Sequence, residues 1–379
     1  MTDSFLLRGT TWDHTRGLLP KVATAQRYHE LHPECQIQWQ TRSLQAFADY
    51  SIAHLAAEFD LLVIDHPSMG EAAAHGLFLP LDQYLSADFL SDQAANSVGG
   101  SHASYQVNGH QWALAIDAAT PVASRRADLL DAGEVPQNWA QLLELARQGK
   151  VAVPAIPIDS LMNFYMLCLA EGETPGQQAA YFCSEETGVA ALEALRELVS
   201  LCDPVCLTRN PIQTYEAMTL SDAIAYCPFA YGYSNYSRRG YARRPLAFGG
   251  LVTRHGQPLR SVLGGAGLAV SASCKHPEIA LAYARFVAEV STQTGIFTAN
   301  GGQPGHRQAW CDADNNIDVQ QYFSATLATL DQSWIRPRYA GYIDFQDRAG
   351  HLVHAFLRGE TAAPVCLQLI NHLHKECFK

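Results

Sequence analysis

The residues of this chain best suited to chemistry come in two matched pairs. Asp13-His14 follows the run Leu6-Leu7-Arg8-Gly9-Thr10-Thr11-Trp12, and Asp65-His66 follows Asp60-Leu61-Leu62-Val63-Ile64. A carboxylate beside an imidazole offers a hydrogen-bond acceptor and a group that titrates near neutrality. That is equipment for polar recognition or for general acid–base catalysis. Trp12 adds an apolar face with a polar handle, a surface on which a sugar or another polyol stacks. Each pair also has a plain structural reading, because an Asp before a helix is a common cap and a Trp packs well in a core.

Further candidates lie along the chain. Asp117 ends the apolar run Trp112-Ala113-Leu114-Ala115-Ile116, with a turn residue as its structural alternative. Asp159, Ser160 and Asn163 follow Val151-Ala152-Val153-Pro154-Ala155-Ile156-Pro157, where Ser160 caps a helix and the helix start offers N–H groups to an acceptor. Tyr226, Tyr231, Tyr233 and Asn235 form the richest aromatic stretch, read as a loop that stacks on a ligand ring. Gly301, Gly302 and Gln303 suit close approach of backbone to ligand, and Arg307, Arg336 and Arg338 are candidates for clamping a carboxylate or phosphate. No Gly-x-Ser-x-Gly, His-Glu-x-x-His, phosphate-binding Gly-Lys-Ser/Thr or dinucleotide glycine motif occurs. No cofactor and no metal site are expected.

The elements that must position these residues follow from hydrophobic patterning. Apolar runs each succeeded by a helical period read as buried parallel strands, whose carboxyl ends form the ligand crevice of open α/β sheets. Strands are expected at 6–12, 36–41, 60–65, 111–116, 222–227, 246–252 and 261–270. Helices are expected at 19–32, from a Ser43 cap through 49, and at 52–59, 68–76, 139–148, 160–170, 189–201, 277–289 and 351–357. Strand, helix and strand joined by short links are the βαβ grammar of a parallel sheet.

Composition bounds the class. The 379 residues exceed the usual limit for one hydrophobic core, so two lobes are expected. The formal net charge of −11 and the lack of a long Lys/Arg run exclude nucleic acid as a partner. No apolar stretch is long enough to span a bilayer, so direct membrane insertion is not expected. The ten cysteines are scattered without a Cys-x-x-Cys, the usage of buried reduced thiols rather than of a disulfide scaffold. The start Met1-Thr2-Asp3-Ser4 carries no cationic segment, long apolar core or cleavage site. As written, the chain reads as cytoplasmic, or as periplasmic if an export segment was removed.

In the order of its segments the chain resembles the solute-binding proteins of ABC importers, in the group that includes the maltose and glycerol-3-phosphate binders. The carrying residues are Asp60-Leu61-Leu62-Val63-Ile64-Asp65, Leu77-Phe78-Leu79-Pro80-Leu81-Asp82, Trp112 to Asp117, Ser261 to Ser273 with the helix Pro277 to Glu289, and Gly301-Gly302-Gln303-Pro304-Gly305. The resemblance implies an α/β periplasmic-binding-protein-like fold of two lobes joined by crossover strands, with ligand captured between them by hinge closure. One lobe would take 1–116 plus 268–320 and the other 117–267, with helices of 321–379 bracing both. It implies a small-molecule ligand and, for an exported chain, an ABC permease as partner.

The leading expectation is a binding protein for a carbohydrate or sugar-derived polyol or acid. Its ligand-binding residues would be Trp12, Asp13, His14, Asp65, His66, Asp117, Asp159, Ser160, Asn163, Tyr226, Tyr231, Tyr233, Asn235, Gly302 and Gln303. The rival is a cytoplasmic lyase, isomerase or hydrolase on the same fold, using Asp13, His14, Asp65, His66 and Asp117 as acids and bases.

Overall fold

A computed structural model describes residues 5–43 and 51–378. The helix expected after Ser43 lies outside the described residues. In chain order, the elements that matter here are β1 (Phe5–Trp12), α1 (Thr15–Leu31), β2 (Cys35–Arg42), α2 (Ile52–Glu58), β3 (Leu61–Ile64), β4 (Leu114–Ala119) and β5 (Pro121–Arg125). They continue with α3 (Pro157–Ala170), α4 (Glu185–Ser200), α5 (Pro211–Leu220), β6 (Tyr226–Tyr231), β7 (Ala247–Gly249), β8 (Gly264–Val270) and α6 (Pro277–Ala288). The last are α7 (Tyr322–Asp331), α8 (Tyr342–Leu357) and α9 (Ala363–Cys377). The chain divides into two units, Met1–Ala119 with Leu263–Ile317, and Thr120–Val262 with Asp318–Lys379.

The first unit is built on a five-stranded sheet in the order β2-β1-β3-β8-β4. β1 runs parallel to β2 and β3, whereas β8 is antiparallel to both β3 and β4. The apolar runs are buried as their patterning requires: all four residues of β3 are inaccessible or nearly so. Leu7, Leu61, Val63, Leu114, Ile116, Leu268 and Val270 share one core with Tyr283 and Ala284 of α6. α1 turns a stripe of Arg16, Gly17, Pro20, Lys21, Thr24, Ala25 and Tyr28 inward, a spacing of three and four that matches the helical period. Two of those seven inward residues are cations.

The second unit carries a three-stranded antiparallel sheet, β6-β5-β7. Its core is mostly helical, with Leu161, Phe164, Tyr165 and Leu167 of α3 packed with Leu192 and Leu195 of α4, Phe345 and Val353 of α8, and Leu367 and Ile370 of α9. Pro157 opens α3 at a position where no intrahelical N–H is needed.

Several elements differ from their sequence expectation for physical reasons. α1 begins at Thr15, not near Leu19, because the His14 imidazole accepts the Arg16 N–H and caps the first turn. β4 spans 114–119 rather than 111–116, so Asp117 lies within a strand paired to Ala266 instead of in a turn. β6 spans 226–231 rather than 222–227 and absorbs half of the expected aromatic loop. Pro228, which has no N–H to donate, falls where the ladder with β5 slips between Val122 and Ser124, so no strand hydrogen bond is lost there. In the apolar run 151–157 that precedes α3, Val151 bridges to Tyr226.

Candidate functional site

Within the first unit, the sequence-selected residues gather at the carboxyl ends of β1 and β3 and along β4. Trp12 ends β1 and is 4% exposed. Its indole lies against the start of α1: a Cβ added at Gly17 would meet the ring at 2.7 Å, so only glycine lets the helix come this close. The Lys21 ammonium stands 4.8 Å from the Trp12 ring centroid and the Arg16 guanidinium carbon 5.9 Å from it. The Asp13 side chain is exposed, while its N–H donates to the Arg42 carbonyl at 2.8 Å. His14 is half-buried, and burial followed by the neighbouring Arg16 charge lowers its pKa to about 4. It is therefore neutral near pH 7, with Nδ1 accepting from Arg16 and Nε2 left as the donor nitrogen.

At the end of β3, Asp65 accepts the His66 N–H at 2.8 Å and caps a single turn of 3-10 helix, so the capping reading holds in part. The His66 ring is fully buried, with Nδ1 3.1 Å from the Asp65 carboxylate and its face edge-on to Tyr105 at 6.4 Å. In β4, Asp117 is 1% exposed, and both of its oxygens are engaged by Arg16, through Nε at 2.9 Å and through Nη2. Beside it, Gln303 is buried and locks its loop to β4, its side-chain N–H donating to the Ala118 carbonyl at 2.8 Å and its carbonyl accepting the Ala118 N–H at 3.0 Å. Gly302 lies against the Phe297 ring so closely that any Cβ there would overlap it.

In the second unit, Asp159 stands in the first turn of α3, and burial alone raises its pKa to about 8. Its Oδ2, the Tyr226 hydroxyl and the Asn235 Oδ1 are each buried with no hydrogen-bond partner among the described residues. Ser160 and Asn163 are turned to backbone instead, donating to the carbonyls of Ala155 at 2.8 Å and Pro154 at 3.0 Å. Tyr226 pairs with Arg125 and Tyr231 with Pro121, at opposite ends of β6. The aromatic stretch is thus spread along a strand rather than gathered in one loop. Tyr233 is buried near Tyr215, whose hydroxyl donates to the carbonyls of Ala230 and Tyr231, both at 3.1 Å. A cavity of about 140 Å³ in this unit, lined by Val151, Ala152, Cys206 and Arg209 among others, includes none of these residues.

The arginines put forward as clamps have structural partners: Arg307 donates to the Ser97 carbonyl at 3.2 Å and Arg336 to Gln346 at 2.8 Å. Three cations escaped the sequence reading, namely Arg16, Lys21 and Arg42. The first two share the inward stripe of α1, and that period was the available signal. Arg42 is level with Trp12 on the neighbouring strand and donates to the Val63 carbonyl at 3.0 Å. Among the described residues, no three His, Cys, Asp or Glu side chains are grouped to hold a metal ion.

Over residues 34–309 the chain matches the family described as bacterial extracellular solute-binding proteins. No curated protein matches it in sequence. Among solved structures it is similar to maltose-bound MalE3 of T. maritima, at 18% identity and a TM-score of 0.84, covering 98% of this chain and 99% of that one. It is similar to an ABC transporter solute-binding protein of Agrobacterium radiobacter K84 in complex with ribitol, at 16% identity and a TM-score of 0.83, covering 99% of each chain. A third, an ABC transporter solute-binding protein of Thermotoga lettingae bound with α-D-tagatose, aligns at 14% identity with a TM-score of 0.79, over 99% of this chain and 100% of that one. The fold is that of the periplasmic binding proteins, as expected, and none of these relatives lends support to the acid–base alternative.

Proposed function

The chain belongs to the bacterial extracellular solute-binding proteins, and from that premise we propose that its solute is a carbohydrate, a polyol or a sugar-derived acid. The observation that supports this most is the register of β1 on β3. Gly9 is paired with Leu61 and Thr10 with Leu62, so Asp13-His14 and Asp65-His66 each follow one of two parallel neighbouring strands at the same spacing from these pairs. Adjacent strands lie about 4.8 Å apart, so the two Asp-His pairs start from neighbouring strand ends, with the Asp13 carboxylate exposed and Asp65 partly so. Carboxylate acceptors beside an aromatic face suit a ligand with many hydroxyls and apolar C–H patches. Within the first unit, Asp13, His14 and Asp65 are the groups offered to the solute in this reading, with the buried Trp12 indole behind them. Within the second unit taken by itself, Asp159, Tyr226 and Asn235 each carry a buried polar atom without a hydrogen-bond partner among the described residues, which is costly and which a ligand hydroxyl would satisfy. The similar chains were solved with maltose, ribitol and tagatose, which points the same way.

The family is extracellular, and we extend the proposal to work outside the cytoplasmic membrane, with delivery of the solute to an ABC permease. No helix among the described residues is long and apolar enough to cross a membrane. Titration calorimetry with maltose, ribitol, tagatose and a series of sugar acids tests the reading. Saturable binding of at least one is expected; no heat of binding across the panel overturns it.

A further inference from the structure

The Lys21 side chain is fully buried, and its ammonium has no hydrogen-bond partner among the described residues. That is costly for a cation unless something else holds it. Arg126, also fully buried, shows the ordinary solution: it donates to Asp128, Asp222 and the carbonyls of Met218 and Ser221. Lys21 is held by rings instead. Its Nζ lies 4.8 Å from the Trp12 centroid and 5.0 Å from the Phe297 centroid, both within cation–π range.

Those two rings belong to or adjoin two of the segments of the first unit that carry candidate ligand residues. Trp12 leads into Asp13-His14. Phe297 carries Gly302 directly on its ring, and the next residue, Gln303, is bonded to Ala118, which follows Asp117 in β4. Asp117 holds Arg16, which stands over Trp12 in turn. The contacts therefore close a circuit with Lys21 as the link between β1 and the loop 301–305.

Building on the reading above, we propose that Lys21 is a positioning residue, its ammonium clamping the Trp12 indole and the Phe297 ring so that both ligand-bearing segments keep their places. It need not touch the solute. The charged groups facing it are Asp117 from β4 and Arg16 from α1 itself. His14 stands at the start of the same helix, and from α6 the Tyr283 hydroxyl donates to the Lys21 carbonyl at 3.4 Å. Burial is the main cause of a Lys21 pKa lowered to about 8, so the clamp loses its charge in an accessible pH range.

The test compares wild type with Lys21→Met, which keeps the length and removes the charge, and with Lys21→Arg, which keeps the charge. Calorimetry uses whichever of maltose, ribitol and tagatose wild type binds best. The expectation is a roughly tenfold loss of affinity at pH 7 in the Met variant, recovery of most of it in the Arg variant, and a wild-type affinity that declines from pH 7 to 9.5 where the Met variant's does not. Equal affinity for wild type and Lys21→Met, or parallel pH profiles, overturns the proposal. If wild type binds none of the probes, the carbohydrate reading fails and the clamp is judged on ligand-free protein. Tryptophan fluorescence of wild type should then show a transition near pH 8 that Lys21→Met and Trp12→Phe both lack, and its absence from wild type overturns the clamp. A Met variant that fails to fold leaves the decision to that wild-type transition and its loss in Trp12→Phe.

Discussion

Arg16 and Asp117, 101 residues apart in the chain, form a two-point ion pair inside the first unit, Nε to Oδ2 at 2.9 Å and Nη2 to Oδ1. Both side chains are almost wholly removed from water. A pair of this kind gives direction more than net stability, because desolvating two ions consumes most of the Coulomb attraction. Here it ties the start of α1 to the middle of β4 and commits the Asp117 carboxylate to a protein partner.

Removing one member takes from the other the ion partner that compensates its burial. Asp117→Ala is expected to destabilise the protein by about 3–5 kcal/mol in urea unfolding, and Arg16→Met by a similar amount because it orphans a fully buried carboxylate. The double variant Arg16→Met/Asp117→Leu should recover most of the loss. A double variant no more stable than Asp117→Ala would show that the pair is not a closed unit.

Asp13 makes the opposite case. Its side chain is exposed, so Asp13→Asn should leave the melting temperature within about one degree of wild type. Affinity for the solute should fall roughly 10- to 100-fold, the worth of one hydrogen bond to a charged acceptor. Calorimetry beside a melting scan separates the two effects. An unchanged affinity would remove Asp13 from the site.

Asp159 predicts a pH slope. Its carboxyl titrates near 3.8 in the unfolded chain and at about 8 in the folded one. The folded state therefore holds a proton that the unfolded state has lost, so stability is greatest below pH 4 on this account and declines as pH rises through 8. Asp159→Asn, which cannot ionise, should gain stability relative to wild type as pH goes from 5 to 8.5. Melting temperatures at the two pH values check this; a difference between the proteins that does not grow with pH refutes it.

Gly17 and Gly302 give a packing test. A methyl at Gly17 would press into the Trp12 ring at 2.7 Å, and one at Gly302 would overlap Phe297. Each Gly→Ala change is expected to cost about 1–3 kcal/mol by overpacking, despite the better helix propensity of Ala at position 17. Tryptophan fluorescence should shift in Gly17→Ala, where the indole is displaced. A neutral or stabilising Gly17→Ala would mean that α1 does not press on Trp12.

Much of the fold was legible in the residues alone, because burial on both faces forces an unmistakable pattern. Leu61-Leu62-Val63-Ile64 is continuously apolar and can hardly be other than a central strand, and the 3.6-residue period of 277–288 or 185–200 leaves little choice of element. The recurrence of Asp-His after two such runs marked the carboxyl ends of β1 and β3, which the structure pairs in parallel at Gly9 with Leu61 and Thr10 with Leu62. Strand limits were less legible at 226–231, since Pro228 reads as a breaker until the bulge that accommodates it is known.

What the polymer by itself determined, then, is an α/β sheet with polar pairs following β1 and β3, for local periodicity and chain order carry that information. That β8 enters it antiparallel, against the expectation of a wholly parallel sheet, was decided by tertiary pairing. Which polar groups remain available was decided only on folding. Asp13 and Asp117 are the same residue type after similar apolar runs, yet one side chain faces solvent and the other is bound to Arg16. Lys21 reads as an ordinary helix-surface cation until the packing of α1 carries it between two rings. The reason is physical: a side chain's charge, protonation and freedom depend on neighbours brought from distant parts of the chain, and no spacing along the sequence records those neighbours.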